Sequence, residues 1–238
     1  MSFIDKELLT NGAKELGLDI DDVQAELFDK FASLLVEANK TTNLTRIAEP
    51  SEIVINHYLD AFTCLSACKL PDGSSFIDVG TGAGFPGIPL AIICPKVKFT
   101  LLDSTKKKLD FIEQAVSELK LDNVKVLQLR AEEAGKLPIY RAKFNFACAR
   151  ALSDMSILAE LCIPLVRIGG AVIAQKSKDI DEEIIRAKPI IGTLGGKIEN
   201  IAEVNIPESD IIRKIVIIRK VAPTPALFPR HYSKINKR

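Results

Sequence analysis

The residues with the most chemistry in the chain are Asp78-Val79-Gly80-Thr81-Gly82-Ala83-Gly84-Phe85-Pro86-Gly87. Gly80, Gly82 and Gly84 alternate after an apolar run, where freedom to take positive φ lets the chain turn sharply and leave room for a ligand. Two ligand chemistries fit. Gly82-x-Gly84-x-x-Gly87 satisfies the dinucleotide fingerprint, in which glycine backbone approaches a pyrophosphate at a helix N-terminus. The alternative is S-adenosylmethionine (SAM), which has no phosphate but carries a sulfonium and an α-amino group balanced by one carboxylate. That ligand calls for an acid beside the loop, and Asp78, two residues before Gly80, meets the need. A tight turn without a ligand is a third reading, disfavoured because open α/β sheets bind at this crevice.

Further candidates sit at the ends of later strands. Asp103 closes the run Lys98-Phe99-Thr100-Leu101-Leu102, 21 residues after Gly82, where a carboxylate can accept from both ribose hydroxyls. It could equally cap the helix that starts at Ser104-Thr105-Lys106. Ala131 and Glu132 place a backbone N–H and an acid where an adenine edge is expected, or simply open a helix. Arg150, projecting from the C-terminal edge of the sheet, could hold the SAM carboxylate, a substrate phosphate or a surface ion pair. His57 and Asp60 share a helix face at i,i+3, either as a substrate-facing pair or as a tie between helix and sheet. His57 and Arg150 are thus positioning candidates.

Several other chemistries are poorly supported. Cys64 and Cys68 are spaced i,i+4, but only His57 and His231 could complete a metal site, so no metal is expected. Cys148 lies inside an apolar run and reads as core rather than nucleophile. No Asn/Asp-Pro-Pro-aromatic run follows the fourth strand, so methylation of an exocyclic amine is not indicated. Lys106-Lys107-Lys108 reads as a solvated helix face.

Short strands alternating with helices position these residues. Strands are expected at about 76–80, 98–103, 124–131, 144–150, 170–176, 197–206 and 213–221. Helices are expected at about 5–16, 21–39, from Pro50 to Cys68, and at about 87–94, 105–120, 132–137, 153–167 and 179–188. The alternation implies right-handed crossovers and a parallel sheet. Only Pro207-Glu208-Ser209-Asp210 joins the last two strands, so the last runs antiparallel. The expected architecture is α/β, a Rossmann-like class I SAM-dependent methyltransferase sheet of seven mostly parallel strands. Its parts are an N-terminal helical subdomain over residues 1–70, a SAM-binding domain over 71–222 and a basic tail over 223–238.

Composition agrees with one soluble α/β domain: 47% of residues are apolar and 26% charged. The first residues lack the basic and apolar regions of an export signal, and five cysteines without a Cys-x-x-Cys pair read as reduced thiols in a cytoplasmic protein. The net charge is +1, yet eight cations and no acid lie from Arg213 onward, leaving −7 on the rest. Such asymmetry hints at contact with a polyanion, or is a solvated terminus.

The chain resembles the bacterial small-subunit ribosomal RNA methyltransferase G family over nearly its whole length. The likeness rests on Asn39-Lys40-Thr41-Thr42-Asn43-Leu44-Thr45, His57-Tyr58-Leu59-Asp60 and the continuation Phe85-Pro86-Gly87-Ile88-Pro89-Leu90. It extends through Leu101-Leu102-Asp103-Ser104, Arg130-Ala131-Glu132, Arg150-Ala151, Ile215–Lys220, Thr224-Pro225 and Pro229-Arg230. Gln175, preceding Lys176, departs from the Leu or Val more usual in the family. The resemblance implies methylation of N7 of a guanine in 16S rRNA of the small subunit, with SAM contacts at Gly80, Phe85, Ala131, Glu132 and Arg150. N7 loses no proton on attack, so alignment rather than a general base is needed. RNA contacts are expected from Lys176, Arg230 and Lys234, interleaved with Phe228, His231 and Tyr232, on a monomer. The rivals are a methyltransferase for another RNA, protein or small molecule, an NAD-dependent oxidoreductase and a non-catalytic RNA-binding protein.

Overall fold

A computed structural model describes residues 2–150 and 154–235. Ala151, Leu152, Lys237 and Arg238 lie outside the described residues. Helix α1 (Lys6–Glu15) is capped by Asp5, and α2 (Asp22–Thr42) opens on a reciprocal capping box. There the Asp21 carboxylate accepts from the Gln24 N–H at 2.8 Å, while the Gln24 side chain accepts from the Asp21 N–H at 3.1 Å. The single helix expected from Pro50 is three pieces end to end: α3 (Pro50–Ile53), a π-helical segment (Val54–Leu59) and α4 (Asp60–Ala67). Wide turns of this kind recur at functional sites, and this one carries His57.

The sheet contains β1 (Ser75–Val79), β2 (Lys98–Asp103), β3 (Val124–Gln128), β4 (Phe144–Arg150), β5 (Val166–Ser177), β6 (Gly196–Asn205) and β7 (Ile212–Lys220). Their order is β3-β2-β1-β4-β5-β7-β6; β1 to β5 pair in parallel and β7 runs antiparallel to both of its neighbours. Between strands lie α5 (Gly87–Ile93), α6 (Lys106–Leu119), α7 (Ala131–Ala134), α8 (Met155–Cys162) and α9 (Asp181–Thr193), with α10 (Tyr232–Ile235) after β7. The expected seven strands and antiparallel final strand are all present.

Some boundaries differ for physical reasons. Helix α8 stops at Cys162, and a 3₁₀ turn holding Pro164 leads directly into β5. That strand starts at Val166 rather than Gly170 and contains a bulge, because pairing jumps from Phe144↔Val166 to Phe146↔Ala171. Gly169 takes φ +83° there, and a Cβ on Gly170 would collide with the Asn145 carbonyl. Helix α9 continues through Pro189 to Thr193.

One core lies on each face of the sheet. On one, Leu9, Phe28, Phe31, Tyr58 and Phe62 of the N-terminal helices join Phe76, Ile88, Phe99 and Phe111 in a single cluster. The other gathers Ile77, Val79, Ala147 and Ile218 under α8 and α9. The N-terminal helices are therefore packed on the sheet by a shared core.

The segment after β7 is docked as well. The Arg141 guanidinium donates to the carbonyls of Gly135, Phe228 and Thr224, each at 2.7 Å, and of Pro225 at 3.1 Å. Buried Lys220 donates to the Ile163 carbonyl at 2.8 Å and to the Thr224 hydroxyl at 2.6 Å.

Candidate active site

The glycine loop leaves β1 at the C-terminal edge of the sheet and turns with Gly80, Gly82 and Gly84 at φ +73°, +62° and +94°. Its turn is closed from behind. The fully buried Asp78 Oδ2 accepts from the Thr81 hydroxyl at 2.7 Å and from the Gly87 N–H at 2.9 Å. Burial pushes the Asp78 carboxyl up to about 6, against the pull of those two hydrogen bonds and of Arg150. Asp103 ties the loop to β2, since its Oδ2 accepts from the Gly82 N–H at 3.1 Å and its Oδ1 from the Thr105 N–H at 2.8 Å. It thus performs the expected turn at the start of α6 while keeping free lone pairs.

In front of the loop is a cavity lined by Gly80, Asp103, Lys108, Arg130, Ala131, Glu132, Arg150 and Tyr232, with Val79, Leu102, Leu129 and Leu161 as its apolar walls. Five of the nine cofactor candidates, Gly80, Asp103, Ala131, Glu132 and Arg150, meet there. Asp78, Gly82, Gly84 and Phe85 build the loop without lining this cavity. Lys108, expected on a solvated face, is half-buried and lines the cavity. Glu132 is buried with Oε1 lacking a partner among the described residues. Ala131 and Glu132 occupy the first turn of α7, where N–H groups have no intrahelical acceptor.

Phe85 instead sits at the junction with the N-terminal helices. The His57 imidazole stacks on it with centroids 4.2 Å apart and planes 14° apart, and the Arg150 guanidinium lies 5.3 Å from its ring centre. Burial, then the neighbouring Arg150, lower the His57 pKa to about 3, so the ring is neutral. Arg150 Nη2 donates toward Nδ1 at 3.4 Å, which puts the ring proton on Nε2, 3.0 Å from the Thr45 hydroxyl. Thr45 is fixed in turn by Asn39, whose Oδ1 accepts from the Leu44 and Thr45 N–H groups and whose Nδ2 donates to the Thr45 carbonyl.

Asp60, 1% exposed, gathers three strands. It accepts from Arg150 Nη1 of β4 at 3.1 Å, Gln175 Nε2 of β5 at 2.7 Å and Arg213 Nε of β7 at 2.7 Å. The His57/Asp60 pair thereby ties helix to sheet, and both residues line a second cavity. That cavity, of about 480 Å³, is bounded by Ile47, Asn56, His57, Asp60, Arg150, Gln175, Lys176, Ser177 and Arg213. Arg150 is the residue common to both cavities.

The family model for rRNA small subunit methyltransferase G matches residues 24–212. The chain belongs to that family. Among its relatives, the ribosomal RNA small subunit methyltransferase G of Pelotomaculum thermopropionicum is 41% identical over 232 residues, 98% of this chain and 97% of the relative. That of Caldanaerobacter subterraneus subsp. tengcongensis is 42% identical over 229 residues, 96% and 95% of the two chains. The fold is that of SAM-dependent methyltransferases. A putative one from Methanococcus maripaludis superposes with a TM-score of 0.55 at 15% identity, covering 80% of this chain and 92% of that one. Another from Aquifex aeolicus gives 0.54 at 20% identity, covering 77% and 97%.

In this methyltransferase G family chain, Arg230, expected as an RNA contact, is held in an ion pair. Its Nε and Nη2 donate to the two carboxylate oxygens of fully buried Glu160 at 2.8 and 2.6 Å, and its backbone N–H adds a third bond at 2.8 Å. The basic C-terminal region is therefore not a free arm. Arg213 pairs with Asp60, Lys214 with Asp181 and Arg219 with Glu199, and Lys220 is buried. Lys176 lines the second cavity and pairs with Glu183 at 2.5 Å, and Lys234 is exposed. Arg213 and Gln175 were missed as site residues, and Tyr232, expected beside RNA, lines the cofactor cavity instead. Arg213 had a signal, as one of two adjacent cations at the start of an apolar strand, whereas Tyr232 reaches the cofactor cavity only through the docking of the tail.

Proposed function

We propose that this protein methylates N7 of a guanine in 16S rRNA, using SAM, on the small ribosomal subunit or an assembly intermediate in the cytoplasm. The observation carrying this reading is the cavity in which Gly80, Asp103, Ala131, Glu132 and Arg150 converge, on a chain of the methyltransferase G family. SAM fits the donor set. Asp103 and Glu132 offer acceptors for hydroxyl and amine groups, the first-turn amides of α7 offer donors, and Arg150 offers a partner for a carboxylate. A pyrophosphate fits poorly. The Gly82 and Gly87 amides already donate to Asp103 and Asp78, and the Ile88 amide at the start of α5 donates to the Gly84 carbonyl at 2.7 Å. The donors a dinucleotide loop keeps for phosphate are spent inside the protein.

SAM supplies an activated methyl group: the acceptor's lone pair forms the new bond to carbon while the C–S bond breaks and its electrons stay on sulfur. The protein's own part is alignment. Asp78 and Asp103 hold the loop, and the His57–Phe85 stack and Arg150 brace its far side. No group is asked to remove a proton, in keeping with a neutral His57 that already donates to Thr45 and accepts from Arg150.

Purified protein, labelled SAM and small subunits from cells lacking the protein test the assignment. Label should enter a single guanine, mapped by mass as 7-methylguanine. Transfer only to another RNA, to a protein or to no acceptor overturns it. Stabilisation by NAD but not by SAM or S-adenosylhomocysteine in a thermal-shift comparison would overturn the cofactor.

A further inference from the structure

The second cavity presents an unusual balance of groups. Three cationic side chains, Arg150, Arg213 and Lys176, line it together with the single carboxylate of Asp60. That carboxylate is consumed by the protein, since both oxygens accept from guanidinium groups and Oδ1 also accepts from Gln175. His57, the remaining titratable group of the lining, is neutral and has both ring nitrogens engaged. The charged side chains of the lining thus offer a ligand N–H donors, beside one neutral acceptor, Gln175 Oε1, which has no partner among the described residues. The site also adjoins the cofactor cavity at Arg150, so a methyl acceptor seated in it lies next to the donor's site.

Arg213 is built to serve such a ligand. Its Nε and Nη2 are held by Asp60 at 2.7 and 3.3 Å, while Nη1 makes no hydrogen bond among the described residues. A guanidinium pinned along one edge presents the other in a set orientation. On guanine, N7 and O6 are neighbouring acceptors on one edge. If N7 is to face the methyl group, O6 is the atom beside it that seeks a donor. Adenine carries an amino group at that place and would set donor against donor.

On the reading of this protein as a guanine-N7 methyltransferase, we infer that the second cavity receives the target guanine, extruded from its stack, with Arg213 donating to O6. Asp60 is the positioning residue that holds Arg213 and Arg150 on either side of the base. Base extrusion is the general route by which enzymes bring a nucleobase into such a pocket. The cavity, of about 480 Å³, lies within the usual range for small-molecule sites.

The test pairs a protein change with an atomic change in the substrate. Arg213→Ala, with Arg213→Lys as a variant that keeps a cation beside Asp60, is assayed for single-turnover methyl transfer at saturating SAM. One substrate is small subunits with the natural guanine; the other carries 2-aminopurine, which has N7 but no O6, at that position. On guanine, Arg213→Ala should slow transfer between about fivefold and a hundredfold, the range for one base-edge contact. S-adenosylhomocysteine affinity should stay unchanged, and on 2-aminopurine the substitution should cause little further loss. Equal loss on both substrates overturns the O6 contact, and a wild-type rate on guanine overturns the cavity assignment. If wild-type protein transfers no methyl to rRNA, the functional reading itself has failed, which is a separate outcome.

Discussion

The neutral His57 imidazole lies flat on Phe85, 4.2 Å between ring centres, and so joins the π-helical turn of the N-terminal helices to the glycine loop. The stack has a consequence for acid stability. The His57 pKa falls from 6.5 to about 3, first through burial and then through Arg150. Between those values the unfolded chain binds a proton that the folded protein refuses, so stability is lost as pH falls from 6.5 toward 3. His57→Phe keeps an aromatic ring but cannot bind that proton. Urea midpoints at pH 7 and pH 4.5 should show the wild type losing about 2 kcal/mol more than His57→Phe. Parallel losses would show that His57 titrates normally.

Asp78 has the opposite sign. Burial raises its pKa from 3.8 to about 6, so the folded protein retains a proton that the unfolded chain releases, and ionisation costs stability as pH rises through that window. A bound sulfonium or ammonium group nearby favours the ionised form. SAM affinity should therefore strengthen by about tenfold between pH 5 and pH 7, and Asp78→Asn should flatten the dependence. Calorimetric titration with SAM at each pH checks this. An identical slope in both proteins would mean another group is responsible.

The glycines of the loop differ in what they are for. A Cβ on Gly87 would collide with Leu101 Cδ2 and lie 2.9 Å from Asp78 Oδ2. On Gly82 it would meet nothing nearer than the Gly80 carbonyl at 4.0 Å, although φ is +62°. Gly87→Ala should thus destabilise the fold by about 1–3 kcal/mol through overpacking. Gly82→Ala should carry only the left-handed backbone penalty of about 1–2 kcal/mol. Denaturant melts of the two variants give the comparison, and a milder effect at Gly87 than at Gly82 would contradict the packing shown.

Arg230 and Lys234 separate a buried ion pair from a solvated charge. Arg230→Ala removes the guanidinium bound to both oxygens of buried Glu160 and should cost about 3 kcal/mol. Lys234→Ala, at an exposed position, should leave stability within about 0.5 kcal/mol of wild type. Urea unfolding of each variant decides the matter. A stable Arg230→Ala protein with weakened RNA binding would restore Arg230 to the RNA surface.

Much of the framework was legible because it is local. The glycine loop and the short link between β6 and β7 each declare themselves within a few residues, and strand–helix alternation supplies the sheet. Cofactor candidates at strand ends were legible for the same reason, since the fold places them on one edge. The second cavity was not. Asp60 comes from a helix more than a hundred residues before the two strands that carry Gln175 and Arg213, and no spacing rule relates them. The tail misled because a count of charges ignores partners: Glu160, Asp181 and Glu199 are distant in sequence from the cations they hold.

Tyr232 is the clearest residue that tertiary docking alone brings to the site. It lies 43% exposed on α10, lines the cofactor cavity and stacks under the Arg130 guanidinium at 6.0 Å. Buried Ile235 and the Arg230–Glu160 pair anchor the segment on either side of it. An aromatic wall favours a flat adenosine group more than an aliphatic amino acid. Tyr232→Ala should therefore weaken binding of S-adenosylhomocysteine and adenosine by about three- to tenfold, an aromatic contact of about 0.5–1.5 kcal/mol, and Tyr232→Phe should not. Because the ring is half-exposed and its anchors remain, the unfolding midpoint of the ligand-free protein should hardly move. Unchanged affinity in Tyr232→Ala would make the tail a purely structural strap.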